Sequence, residues 1–428
     1  MNPSNHHSGS LLRSEQTRRA FLTAGAVAGA GAAMAAPLLG QGSMPGGAGV
    51  HGGGHAAGRA ASGDTFAGLH AGHASGTVGS IAFDGREPCD PFHFLTAFNT
   101  TEFPQQIPGP FYQESSWTGG RLLREYLFVA RDKQIEIAPG LYFPAWTYNN
   151  QVPGPTLRAN AGDRIRIWFI NEGTHPHTIH FHGWHAFEQD GSMPEQFVHP
   201  VAQAESTTSR HPFGPGADPE PWLKMDRVND LRRKGLEIYE FDADPVGLHL
   251  YHCHSLPLKR HIHKGLYGVF IVDPPEGRPK INPDSDQQLP ADHPLHEMVM
   301  VMNGFDTNFD GDNEVYAVNS VGFHFMTHPI PVNAGDLVRI YLVNMTEFDP
   351  INSFHLHAGF FRVYRTGTTL RSLEYTDNVM LCQAERTILE FRFRDGWPGQ
   401  FMFHAHQSEF AELGWMGLFG VRSAEVTA

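Results

Sequence analysis

The sequence predicts an all-β protein: two tandem Greek-key β-sandwiches of similar plan, preceded by a long segment that carries no core. Three observations predict this. From Arg121 onward the chain is made of short β-type runs broken by Gly and Pro. No long helical period competes with them. The order of landmarks in the first half is repeated in the second, the mark of an internal duplication.

The runs Leu127-Phe128-Val129, Ile135-Glu136-Ile137, Arg164 to Ile170 and Val269 to Val272 read as strands. The stretch Ala161-Gly162-Asp163-Arg164-Ile165-Arg166-Ile167 has its echo in Ala334-Gly335-Asp336-Leu337-Val338-Arg339-Ile340. Each leads through an Asn (Asn171, Asn344) to a His-x-His pair, His180-Phe181-His182 and His355-Leu356-His357. Each half then closes with another such pair, His252-Cys253-His254 and His404-Ala405-His406, and a Gly-containing apolar strand. The expected boundaries are an export signal over 1–40, a linker and extension over 41–115, a first domain over 116–280 and a second over 290–428. The 428 residues accommodate this plan, at about 150 residues per domain.

The first 40 residues read as an address. Thr17-Arg18-Arg19-Ala20-Phe21-Leu22 precedes a weakly apolar Ala/Gly stretch, and Ala33-Met34-Ala35 offers a cleavage site. This resembles a twin-arginine export signal, so a periplasmic or extracellular location is expected, with no membrane span in the mature protein. Residues 42–79 are rich in Gly, Ala and His and read as a solvated linker. Net charge is −14 with no long basic run, which makes nucleic acid and anionic membranes poor partners. Cysteine is scarce: Cys89, Cys253 and Cys382 cannot form a disulfide framework. Cys89 and Cys382 are open to two readings, a disulfide in an oxidising compartment or two free buried thiols.

The 27 histidines are the compositional outlier and point to metal chemistry. Strand side chains alternate faces, so each His-x-His presents two imidazoles to one side. Four pairs supply eight imidazoles, too many for one tetrahedral ion and enough for three copper ions. In His252-Cys253-His254 the central thiolate points away from its neighbours. It therefore feeds a separate site that needs two His, one Cys and a weak axial position, the donor set of blue copper. The downstream His is His261, with Leu266 in the axial place. The upstream His is His177, in a His-x-x-His-x-His grouping, with His175, His185 and His263 as rivals. The run Asp306-Thr307-Asn308-Phe309-Asp310-Gly311 begins like a calcium loop but has Ala317 at its twelfth position, so a hairpin loop is expected.

From about Gly120 to the C-terminus these motifs resemble the multicopper oxidases, and closely the two-domain small laccases whose blue copper lies in the first domain. The resemblance implies cupredoxin-like domains and four coppers per chain: one type 1, one type 2 and a type 3 pair. It implies that His180 and His355 hold the type 2 ion, and that His182, His252, His254, His357, His404 and His406 hold the type 3 pair. Ala405 and Asn352 stand where domain 2 would need Cys and His, so its blue copper is lost. Leu266 replaces the methionine of many relatives. Asp190, and after it Glu409, are the candidate proton donors. The implied partners are dioxygen and a small reducing substrate (a phenol, an aromatic amine or a metal ion), and the implied assembly is a homotrimer. Copper nitrite reductase and a copper-storage or electron-carrier protein are the competing readings.

Overall fold

The computed structural model describes residues 91–96, 111–116, 122–201 and 225–423. The expected export signal, most of the expected linker and Cys89 lie outside them. Cys382 is a free thiol and is exposed rather than buried.

Four β-sheets lie in layers. The outer sheet of domain 1 joins Phe111–Ser116, Leu122–Ala138, Arg164–Asn171 and Leu236–Asp242, with Leu141–Tyr148 paired to the far part of the long strand. The runs at Leu127 and Ile135, read from sequence as two strands, are this one 17-residue strand. It continues through the polar Arg131-Asp132-Lys133 because it changes partner there. Its first part pairs in parallel with Arg164–Asn171, and its second part pairs antiparallel with Leu141–Tyr148. The inner sheet of domain 1 orders Leu157–Asn160, Tyr267–Asp273, Gly247–His252 and His180–Phe181.

The inner sheet of domain 2 orders Val315–Val318, Leu295–Phe305, Leu337–Asn344, Arg386–Phe391, Phe361–Arg365 and Glu374–Thr376. Its outer sheet orders Ile330–Asn333, Met416–Arg422, Gly399–His404, Ile351–Leu356 and Asn378–Cys382. Residues 306–314 form the loop of the antiparallel hairpin between Leu295–Phe305 and Val315–Val318, as expected.

Side-chain alternation explains the stacking. Phe270 and Val272 enter the core of domain 1, while Val269 and Ile271 of the same strand face domain 2. Met298, Met300 and Met302 enter the core of domain 2, while Val299 and Val301 face back toward domain 1. Both inner sheets are therefore apolar on both faces, and the layer between the domains is a continuous core. Burying a Val, Ile or Phe contributes about 1.5–3 kcal/mol, so this layer fixes how the two domains sit. Arg158 of domain 1 adds a pair of 3.1 Å bonds to Glu297 of domain 2. His263 Nε2 accepts the Asp306 N–H at 3.0 Å across the same boundary.

The sequence echo has a physical origin. Gly162 and Gly335 take φ of +90° and +88°, a region that side chains with a Cβ disfavour. Asn171 and Asn344 are fully buried, and each pins a loop through its amide: Asn171 Nδ2 donates to His175 O and Val198 O, Asn344 Nδ2 to Leu381 O. Helices are few. Met225–Arg233 accompanies the outer sheet of domain 1, and Leu231 joins the apolar cluster there with Trp168 and Ile238. Leu258–His263 carries His261.

Candidate metal centres

His177, Cys253 and His261 converge. Cys253 Sγ lies 3.2 Å from His261 Nδ1 and 3.9 Å from His177 Nδ1, and the two Nδ1 atoms are 3.2 Å apart. All three residues are buried. Burial pulls the His261 pKa down to about 4, and burial with the neighbouring His261 and His175 holds His177 well below its usual value. Both rings are neutral at pH 7 and offer lone pairs. Burial raises the Cys253 thiol, and a bound metal ion favours its thiolate. One soft sulfur and two imidazoles in a dry site fit blue copper. Leu266 is fully buried here, its carbonyl accepting the Cys253 N–H at 2.9 Å. Trp146 covers the site, its ring 4.7 Å from His261, 5.3 Å from His177 and 4.5 Å from His175.

The other three rivals separate by environment. His175 packs on the outside of Trp146. His185 Nε2 lies 2.9 Å from Phe181 O and 3.8 Å from Asp190. His263 serves the domain boundary. The short helix Leu258–His263 explains the spacing from Cys253 to His261, because it returns the chain over the sulfur.

The His-x-His pairs form two quartets. In domain 1 the His180 ring lies 5.3 Å from His182, 5.2 Å from His252 and 5.3 Å from His254. In domain 2 the His355 ring lies 5.1 Å from His357, 5.3 Å from His404 and 5.4 Å from His406. Several Nδ1 atoms face carbonyls: His180 to Asp190 O at 2.8 Å, His252 to Cys253 O at 3.0 Å, His355 to Asp377 O at 2.8 Å and His404 to Ala405 O at 2.6 Å. A carbonyl only accepts, so Nδ1 carries the proton and Nε2 keeps its lone pair. The freed Nε2 atoms of His252 and His404 lie 3.3 Å from His182 Nε2 and 3.0 Å from His357 Nε2. Burial and neighbouring His252 lower the His182 pKa to about 2, so that ring is neutral at pH 7. The facing nitrogens are close enough to hold a metal ion. Among the described residues, no group of metal-ligating side chains draws on both domains.

The two domains share the same bonding pattern around these sites. Cys253 N–H bonds Leu266 O as Ala405 N–H bonds Trp415 O. Leu266 N–H bonds His261 O as Trp415 N–H bonds Phe410 O. His254 N–H bonds Thr178 Oγ1 as His406 N–H bonds Ser353 Oγ. Asn352, Ala405, Phe410 and Trp415 thus occupy the places of His177, Cys253, His261 and Leu266. Tyr316 stacks on Phe410 at 4.2 Å where Trp146 covers His261. In domain 2 aromatic rings fill the space that corresponds to the His177, Cys253 and His261 cluster.

Asp190 lies by the domain 1 quartet, with a carboxylate oxygen 3.3 Å from His180 Nδ1 and its side chain bonded to the Ser192 hydroxyl. The equivalent position in domain 2 is Asp377, 3.8 Å from His355 Nδ1, which sequence reading missed. The strand-loop position was no guide, because Asp377 lies 20 residues beyond its pair and only strand pairing returns it. Glu409, the other sequence candidate, is exposed on the helix Ser408–Glu412 and is not gathered with the imidazoles.

Comparison with known proteins agrees with this geometry. Residues 130–210 and 290–425 each match a family model described as multicopper oxidase. A solved structure of a multicopper oxidase is 46% identical, covering 79% of this chain and 99% of that one, with a TM-score of 0.63. The copper-containing nitrite reductase of Neisseria gonorrhoeae is 26% identical over 69% of this chain and 67% of its own length. The L-ascorbate oxidase of Cucurbita maxima is 34% identical over 36% of this chain and 20% of its own length. Two cupredoxin-like domains, the paired imidazoles of both and the 46% identical relative lead to one conclusion: the chain belongs to the multicopper oxidase family.

Proposed function

We propose that this protein is a laccase-like oxidase that takes single electrons from a small reducing substrate and delivers four to dioxygen, giving water. Copper, when bound, supplies the one-electron acceptor and the oxygen-reducing centre. The chain's residues supply the rest. His177, Cys253 and His261 would hold the type 1 ion, with Leu266 axial. His180 and His355 would hold type 2, and the other six paired His would hold type 3, making four coppers per chain. The Cys253 backbone joins the first site to His252 and His254 directly. Asp190 and Asp377 sit where they can orient His180 and His355 and hand protons inward.

The observation that carries this reading is the pair of quartets, four imidazoles per domain with Nε2 atoms turned toward one another. Within one chain they lie on different layers. One is on the inner sheet of domain 1 and the other on the outer sheet of domain 2, with a third sheet between them. Sheets pack about 10 Å apart, and metal–imidazole bonds are about 2 Å. A shared cluster therefore needs domain 1 of one subunit and domain 2 of another, which a head-to-tail homotrimer provides. Exposed Trp184 and Phe187 near one quartet, and Phe360, Tyr375 and Trp397 near the other, suit such contacts. Export by the twin-arginine route to the periplasm or beyond completes the proposal.

Copper nitrite reductase is the second reading, favoured by the similarity to the Neisseria enzyme. Metal analysis separates them. We expect close to four coppers per chain and oxygen uptake with a phenol or a cuprous salt. Two coppers per chain, with nitrite consumed and nitric oxide released, would replace the oxidase reading. Four coppers without oxygen uptake on any donor would favour a storage or carrier protein.

The axial assignment has its own test. Leu266→Met conserves volume and offers a weak sulfur ligand. The type 1 potential should fall by about 59 mV, a tenfold change for a one-electron couple. A potential that stays or rises would remove Leu266 from the axial place.

A further inference from the structure

The helix Leu258–His263 carries two exposed cations, Lys259 and Arg260, immediately before His261. The sites described above use neither. His261 itself is 2% exposed, with the Trp146 ring 4.7 Å from its own. Cys253 and Leu266 belong to the core of domain 1. Solvent therefore comes nearest to the cluster on the side of this helix, Trp146 and the half-buried His175. The Arg260 guanidinium stands 5.3 Å from the Trp146 ring on that side.

Arg260 differs from its neighbours in having no counter-charge. Arg124, Arg131, Arg158, Arg164 and Arg166 of the same domain each pair with a carboxylate at 3.0 Å or less. Among the described residues no carboxylate makes such a pair with Arg260 or Lys259. Lys259 Nζ instead lies 4.0 Å over the Phe348 ring. The two acids that act on this side are already engaged or covered. Asp132 accepts the Thr174 N–H and hydroxyl, and Glu347 is buried. Lys264 adds a third cation 6.0 Å from Trp146, its Nζ donating to Pro144 O. The net charge of −14 is spread over the whole chain, and exposed charges are screened beyond about 10 Å. A molecule arriving at the rim of His261 meets the local cations.

We propose that Arg260, supported by Lys259, selects anionic electron donors: small phenols that carry a carboxylate or sulfonate. This rests on the reading of His177, Cys253 and His261 as the electron-accepting type 1 site. The guanidinium offers a planar fork of N–H donors that matches a carboxylate or sulfonate. Its place beside Trp146 and next to His261 in the chain brings the phenol ring over the covered imidazole. The docked phenol gives one electron to the type 1 site and its hydroxyl proton to solvent, leaving as a phenoxyl radical. Cationic donors, cuprous, ferrous and manganous ions among them, are repelled by the same charges. The structure thereby narrows the donor class that the sequence left open.

The test follows anaerobic bleaching of the blue band in copper-loaded protein by stopped flow, so that oxygen turnover is not needed. Three donors are compared: hydroquinone sulfonate, hydroquinone and a trimethylammonium-substituted hydroquinone. Each variant is scored against wild type with the same donor, which cancels differences in reducing power. Arg260→Glu should slow bleaching by the sulfonate about tenfold, leave hydroquinone within about twofold and speed the cationic donor. Arg260→Gln should shift the two charged donors the same way by about threefold. Added salt should shrink the wild-type preference for the sulfonate. Copper content and the blue band report that the site is intact. Should Arg260→Glu lose either, Arg260→Gln decides. A blue variant in which all three donors slow together, or in which none changes, overturns the proposal and leaves the type 1 reading standing. Copper-loaded wild type without a blue band overturns both.

Discussion

Replacing Cys253 by serine should abolish the intense blue band and drop oxidase turnover to background, while the remaining coppers stay bound. In the proposed assignment the thiolate is both the chromophore and the covalent link between the two classes of site, since His252 and His254 flank it in the chain. A serine hydroxyl is a poor ligand for copper where a soft sulfur is wanted. It is also small enough for the fully buried space that Cys253 occupies. The three coppers proposed for the imidazoles would have no ligand removed, so metal analysis should fall from near four to near three. A Cys253→Ser protein that remains blue would sink the assignment. Replacing Cys382, exposed and remote in sequence from every ligand, should leave the colour unchanged.

Two inactive variants should restore activity to each other when co-expressed. His180→Ala with His182→Ala ruins the domain 1 quartet. His355→Ala with His357→Ala ruins that of domain 2. Each alone should be inactive, because every interface contains one broken half. In mixed trimers some interfaces join an intact domain 1 to an intact domain 2, about a quarter of them for random head-to-tail pairing. Oxidase activity should recover to roughly that fraction. A mixture that demonstrably forms hetero-trimers and stays inactive would eliminate the intersubunit cluster. The layered core is why we expect recovery. The sheet between the two quartets is packed on both faces by residues such as Val301 and Met300, and cannot open to let them meet within a chain.

The motif residues were legible because their chemistry depends on local spacing. A His-x-His on a strand needs only the two-residue period to place two imidazoles together, and the second copy of each motif removed the element of chance. Asp377 was illegible for the opposite reason. It reaches His355 through pairing of Asn378–Cys382 with Ile351–Leu356, a contact that no spacing announces. Glu409 looked close to His406 in sequence, but the helix Ser408–Glu412 turns it to solvent. Trp146 stands over the copper-type site from a strand more than a hundred residues before Cys253.

By itself the sequence determined the all-β duplicated plan, the two quartets and the single cysteine site, because each follows from backbone periodicity and the donor chemistry of side chains a few positions apart. The tertiary structure alone decided three things. It placed His177, rather than His175, His185 or His263, in the buried space beside Cys253 and His261. It made Leu122–Ala138 one strand, because a change of sheet partner carries the chain through its polar middle. It set the quartets on separate layers, because the apolar faces of both inner sheets find their burial against each other. Burial and strand exchange are properties of the whole chain, and no local window of residues contains them.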